Sequence, residues 1–191
     1  AVPGMLRGLD YLHRSYANLP WASLIAPSIT LSRQGFRVGD DLASDLQDFG
    51  ASSFLTQDVA WAIDFAPNGT LLGANDTMTR KRYADFLEAI AERGADAFYY
   101  GPFAQATVRA IQAANGTMTM SDLAQYAVLV RQPVELEYRD FRLLSCGAPG
   151  GGSVVLSVMN VAKGYEESTN PAQGNMSTHL LDESMRFGYG Q

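Results

Sequence analysis

The sequence predicts an α/β chain that is mostly helical and carries one β-hairpin. Three observations lead there. Apolar residues recur at helical spacing in several separate stretches, alternation with period two occurs in one place only, and glycine, proline and asparagine mark the breaks between them. The chain has 191 residues, enough for one domain with a real core.

The first helix is read from Met5, Leu9, Leu12 and Tyr16, which share one face, and it ends at Asn18-Leu19-Pro20. Trp21 to Gln34 reads as a second helix, kinked at Pro27 and capped by Gly35, and Asp40 to Gln47 as a short third. Residues 48–80 carry little periodicity, and Pro67-Asn68-Gly69 and Gly73-Ala74-Asn75-Asp76 are turn chemistry, so this stretch is expected to be a loop or insertion.

Tyr83, Phe86, Leu87, Ile90 and Ala91 form the next apolar stripe, closed by Gly94. Ala104, Val108 and Ile111 form another, closed by Asn115-Gly116. Ser121 is the expected N-cap of a short helix from Asp122 to Tyr126. After Pro133 the period becomes two: Val134, Leu136 and Tyr138 alternate with Glu135 and Glu137, Arg139-Asp140 turns the chain, and Phe141 to Cys146 returns. A glycine-rich turn, 147–152, opens a helix with Val154, Val158, Val161 and Ala162 on one face. Residues 164–177 read as a polar loop, and Leu180, Leu181, Met185 and Phe187 as a last helix.

Composition narrows function. Fourteen basic and twenty acidic residues give a net charge of −6, which argues against nucleic acid as the main partner. No apolar run approaches the ~18 residues of a membrane span, and Ala1-Val2-Pro3-Gly4 has neither the basic nor the apolar region of a signal peptide. The single cysteine, Cys146, has no intrachain partner, which favours a reducing compartment. Four sequons point the other way: Asn68-Gly69-Thr70, Asn75-Asp76-Thr77, Asn115-Gly116-Thr117 and Asn175-Met176-Ser177, all read as turns. They exceed the roughly one per two hundred residues that composition alone supplies, and the expected location is extracellular or in the secretory pathway.

The residues that could carry chemistry do not assemble into a site. The 147–152 turn could cradle an anion at a helix start, but it has no GxGxxG and no following lysine, and it reads rather as a tight strand-to-helix turn that packs closely. Ser153 lacks the GxSxG elbow, and nothing in the spacing recruits His13 or His179 to it. No metal or cofactor is expected: two histidines and one cysteine lie far apart. Arg80-Lys81-Arg82 opens a helix, where the dipole disfavours cations; it reads as a solvated end, a protease-sensitive site or an anion contact.

Beyond these patterns, the chain resembles the γ-glutamyltranspeptidase (glutathione hydrolase) family. The resemblance rests on AVPGMLRG, then LPWASLIAPSITLSRQGF, FLEAIAERGADAFYYGPFAQATVRAI, MTMSDLAQY, a hairpin with a glycine turn, and STHLLDESMRFGYG, in family order. It covers the whole chain as one partial domain, 1–191, matches least over 48–80, and places it in the middle to late part of the large subunit. It implies part of a four-layer αββα sandwich of N-terminal-nucleophile type. It also implies an enzyme that cleaves γ-glutamyl amides such as glutathione and passes the acyl group to water or an amine.

In that family an arginine upstream of the AVPG-like segment holds the substrate, and the catalytic threonine and oxyanion glycines lie downstream. No catalytic residue is therefore carried onto this chain, which is expected to be inactive alone and to need the remaining large- and small-subunit segments as partners. Ser177-Thr178-His179 looks like the family's Thr-Thr-His processing mark, but Thr178 opens a helical pattern and reads as a cap. The 147–152 turn departs from the serine- and proline-containing turn of relatives. Two other readings stay open: a catalytically silent secreted glycoprotein that serves as a scaffold or binding module, and a related acylase of the same fold.

Overall fold

In a computed structural model describing residues 1–50, 53–165 and 171–190, the chain divides into two compact units, Ala1–Val128 and Leu129–Gln191. The first unit is built around a long helix pair. Helix α1 (Met5–Tyr16) leads to α2 (Trp21–Gln34), which continues across Pro27 and packs along α6 (Lys81–Arg93). The indole N–H of Trp21 donates to the Ile90 carbonyl at 2.8 Å, and Arg33 reaches Asp85 and Glu88, so the pair is fastened by a neutral hydrogen bond and by ion pairs.

Between these helices the chain holds more structure than its periodicity suggests. Strand β1 (Phe36–Arg37) pairs antiparallel with β2 (Thr77–Met78), and Val38 and Asn75 extend the ladder through their backbones. Helices α3 (Asp40–Phe49), α4 (Phe54–Gln57) and α5 (Val59–Phe65) fill the interval. The expected loop at 48–80 is thus corrected in part: it contains α4, α5 and β2. Helices of four and seven residues make at most two turns, too few to print a stripe. Asp58 fixes the start of α5 by accepting the Ala60 amide at 2.8 Å. Buried Val38, Ala43 and Met78, with Phe36, Leu42, Phe65 and Leu72 against them, form a small core under the β1–β2 pair.

The second core of this unit belongs to residues 94–126. The aromatic turn is itself a helix, α7 (Asp96–Tyr99), followed by α8 (Gly101–Ala113) and α9 (Met120–Ala124). Ala95, Tyr99, Ala104, Val108 and Leu123 are buried together, and Val2 and Leu6 pack on them. Tyr99 is fully buried; its hydroxyl donates to the Pro3 carbonyl at 2.7 Å. Its ring stacks on Tyr126 at 6.0 Å between centroids and carries the Arg7 guanidinium at 4.4 Å. Arg7 also pairs with Asp96 at 2.6 Å. Burial pushes the Tyr99 phenol pKa up, against the lowering influence of Arg7.

The cap of α9 is Thr119 rather than Ser121. Thr119 Oγ1 accepts the Asp122 amide, and the Asp122 carboxylate takes the Thr119 amide and hydroxyl at 2.8 Å each. This capping box fixes the start two residues early because Asp122 serves as its third helical residue.

In the second unit β3 (Val134–Tyr138) and β4 (Phe141–Ser145) form the expected hairpin, in register Val134↔Ser145 to Tyr138↔Phe141. Arg139 turns it with φ 55°, the left-handed conformation that a glycine would take more readily. Helix α10 (Gly152–Lys163) packs on the hairpin and against α11 (Gly174–Tyr189), which a 3₁₀ turn, Pro171–Gln173, precedes. The polar loop expected at 164–177 is shorter at its end, because α11 already begins at Gly174; residues 166–170 lie outside the described residues.

The Asp122 pKa lies below the ordinary carboxylate value, chiefly through the Thr119 hydroxyl and then the Thr119 amide. A lowered folded-state pKa means that the cap's contribution is complete above the ordinary carboxylate range and is lost as pH falls below it. Thr119→Ala is expected to move the Asp122 titration upward; a carboxyl NMR titration with an unchanged midpoint would refute the assignment.

Candidate functional site

One cleft of the second unit surrounds the glycine turn. It encloses about 530 Å³ between Leu129, Arg131, Pro133 and Leu144 on one side and Cys146 and Pro149 on the other. The turn closes through Gly150 N–H to the Gly147 carbonyl at 2.9 Å. At its end Gly152 lies directly on β4: a Cβ there would collide with the Cys146 carbonyl and the Ser145 hydroxyl, and would sit 2.8 Å from the Cys146 amide. The glycine run is therefore a packing turn that lets α10 start against the strand. Cys146 is a free, exposed thiol.

None of the expected hydroxyl or imidazole groups converges. Ser153 is exposed on the first turn of α10, and among the described residues no hydrogen bond joins it to a histidine. His13 is occupied elsewhere: its Nε2 meets the Leu19 carbonyl at 2.8 Å, and its ring lies edge-on to Trp21 at 5.2 Å. His179 is exposed on α11. Thr178 is not a cap. It lies one turn inside α11, and its hydroxyl donates back to the Gly174 carbonyl at 2.9 Å. The preceding turn, Pro171–Gln173, leads straight into the helix, so the start falls earlier than the apolar stripe from Leu180 suggests.

The basic cluster has a protein anion beside it. Asp64, 12% exposed, lies 3.5 Å from Arg82 and 3.8 Å from Arg80. Arg82 also donates to the Ala60 carbonyl at 2.7 Å, and Arg80 lies over the Tyr83 ring at 4.7 Å. A helix start that disfavours cations is thus offset by a ring from the same helix turn and by a carboxylate, Asp64, that lies too far back in sequence to be read from the Arg80-Lys81-Arg82 run. The same holds for Arg7, Asp96 and Tyr99, a group that sequence reasoning missed.

Among the described residues no group of three or more His, Cys, Asp or Glu side chains could hold a metal ion. Of the four sequons, Asn68, Asn75 and Asn115 are exposed in turns, whereas Asn175 is exposed in the first turn of α11, a correction to the expected loop. Among the described residues no helix is long and apolar enough to cross a membrane.

Comparison with known proteins supplies what the local geometry does not. The family profile described as gamma-glutamyltranspeptidase matches residues 1–191. The chain is 49% identical over its full length to a glutathione hydrolase proenzyme of Arthroderma benhamiae and covers 33% of it. It is 39% identical to a glutathione hydrolase of Aspergillus flavus, aligning over 99% of its own length and 32% of the relative's. In solved structures it resembles the Helicobacter pylori gamma-glutamyltranspeptidase, with TM-score 0.88, 26% identity, and coverage of 99% of this chain and 54% of that one. It is also similar to a cephalosporin acylase from Bacillus halodurans, with TM-score 0.87, 28% identity, and coverage of 99% and 36%. The chain spans about a third of the length of these curated relatives.

The packing role of the glycine turn is testable. Gly152→Ala is expected to cost about 1–3 kcal/mol, since backbone atoms must move to admit the methyl group. Gly151→Ala, where nothing lies within 4 Å, is expected to stay within roughly 0.5 kcal/mol. Urea unfolding midpoints compare the two, and equal shifts would refute the close approach.

Proposed function

The chain belongs to the γ-glutamyltranspeptidase family, and from that membership we propose that it is the middle-to-late part of the large subunit of a glutathione hydrolase. The completed protein cleaves γ-glutamyl amides and passes the acyl group to water or an amine. The observation that carries this reading is the end-to-end match, 49% identical over 191 residues, to a protein of that name.

The reaction asks for a threonine whose hydroxyl attacks while its own α-amine serves as base, which requires a free N-terminus at the head of a strand. Thr178 offers neither, being held inside a helix by Gly174. We therefore assign the nucleophile and the carboxylate-binding arginine to segments outside residues 1–191. In this reading both units are one partial domain, and their helices lie in the outer layers of a four-layer αββα sandwich. The sequons support passage through the secretory pathway. A second reading, an acylase acting on a different amide, is favoured by the similarity to the cephalosporin acylase.

Residues 1–191 alone are expected to release no anilide from γ-glutamyl-p-nitroanilide, and clear turnover would overturn this role. Joined to the flanking segments of the Arthroderma relative, the same chain is expected to turn over. Hydrolysis of a cephalosporin side-chain amide in place of the anilide would favour the acylase.

Both units expose large apolar side chains: Met5 at 78% and Val59 at 79% in the first, Phe141 at 67% and Tyr189 at 83% in the second. Such surface marks faces that other segments cover. The isolated chain is expected to aggregate or pack loosely; a monodisperse monomer with a sharp melt would show instead that it is self-sufficient.

A further inference from the structure

Residues 101–128 form the longest run among the described residues without an exposed large apolar side chain; the shorter runs 32–48, 64–82 and 84–99 expose none either. This surface has no need of a covering segment and is suited to remain in water when the protein is complete. At its outer end stands Asn115, where α8 terminates.

The turn is a closed helix stop. The Gly116 amide donates to the Ile111 carbonyl at 2.8 Å, and the Asn115 amide to the Gln112 carbonyl at 3.0 Å, the paired bonds of a Schellman end. Asn115 occupies its left-handed position with φ 62°. Gly116 has to be glycine, since a Cβ there would collide with the Ile111 side chain and lie 2.9 Å from its carbonyl. Gln112 Nε2 fastens the far side to the Met118 carbonyl at 2.9 Å. Both backbone and neighbours are therefore held while the Asn115 side chain is exposed and makes no side-chain hydrogen bond among the described residues. Thr117, the third residue of the sequon, is exposed as well.

The other three sites are less well placed. Asn68 follows exposed Trp61 and Ile63, and Asn175 adjoins exposed Met176, apolar positions suited to being covered. The carbonyl of Asn75 receives Arg37 at 3.1 Å, and its amide bonds Val38, so that residue is part of the β1–β2 connection.

We propose that Asn115 is an N-glycosylation site and the principal glycan-bearing position of this chain. The inference rests on the secretory reading above. The step takes a polyprenyl-diphosphate-linked oligosaccharide as donor. Asn115 Nδ2 attacks the anomeric carbon, a C–N bond forms, the anomeric C–O bond to the diphosphate breaks, and the amide proton leaves with the released polyprenyl diphosphate. The glycan then lies over the end of α8.

The test secretes the chain, completed with the flanking segments of its Arthroderma relative, from a yeast under a heterologous leader. Peptides are mapped by mass spectrometry after glycosidase release in ¹⁸O water. Asn115 is expected to be occupied at higher stoichiometry than Asn68, Asn75 or Asn175. Asn115→Gly, which suits the left-handed position, and Thr117→Ala, which leaves Asn115 in place, are each expected to remove one glycan without lowering the melting temperature of the deglycosylated protein. An unmodified Asn115 beside occupied Asn68 or Asn175 would overturn the proposal and leave the secretory reading standing. Occupancy in yeast but no glycan on protein from the native source would sink the secretory reading and leave the site's competence intact.

Discussion

The first unit hangs on the burial of Tyr99. Its ring lies between the Tyr126 ring and the Arg7 guanidinium, and its hydroxyl reaches the Pro3 carbonyl. One side chain thus fixes the N-terminal segment, α7 and the end of α9 to one another. Burying a phenol costs free energy unless its hydroxyl is bonded, so Pro3 is as necessary as the apolar walls. Gly4 leaves the space: a Cβ there would run into the Tyr126 hydroxyl. Arg7, held between Asp96 and the ring, is a cation partly withdrawn from water yet paired on one side and stacked on the other.

The same economy recurs at the start of α6. Arg80 and Arg82 stand where the helix dipole is unfavourable, and Asp64 with the Ala60 carbonyl compensates them. The short helix α5 supplies both groups, so a stretch without periodicity has a definite role in holding α6. In the second unit Gly152 against β4 and Gly188 against Val158 bring α10 close to both of its neighbours. Among the described residues neither unit gathers its titratable groups around one centre. The strongest perturbations, at Tyr99, Asp122 and Arg142, each belong to a structural contact.

The long elements were legible in the sequence because their signals are periodic. The stripe from Tyr83 to Ala91 is α6, and the alternation from Val134 to Tyr138 is β3, half-buried on the side that packs on α10. What escaped was short or distant. Helix α4 has no room for a repeat, and β1 and β2 pair across forty positions with two residues each. Thr119 and Thr178 show the limit of local rules: both precede apolar stripes, but only Thr119 has an acid three residues on to complete a cap. The family resemblance came from the order of several segments, whereas the contacts of Arg7 and Asp64 became visible only in three dimensions.

The bond between Tyr99 and Pro3 joins residues 96 positions apart. During synthesis, at about 5–20 residues per second, that separation amounts to roughly 5–20 s. Through this interval α1 exists without the core on which Leu6 packs, and Val2 and Pro3 have nothing to hold. The opening segment of the unit is thus among the first parts to be made and among the last to find its place. Its exposed Leu9, Leu12 and Tyr16 are a liability of timing as well as of packing.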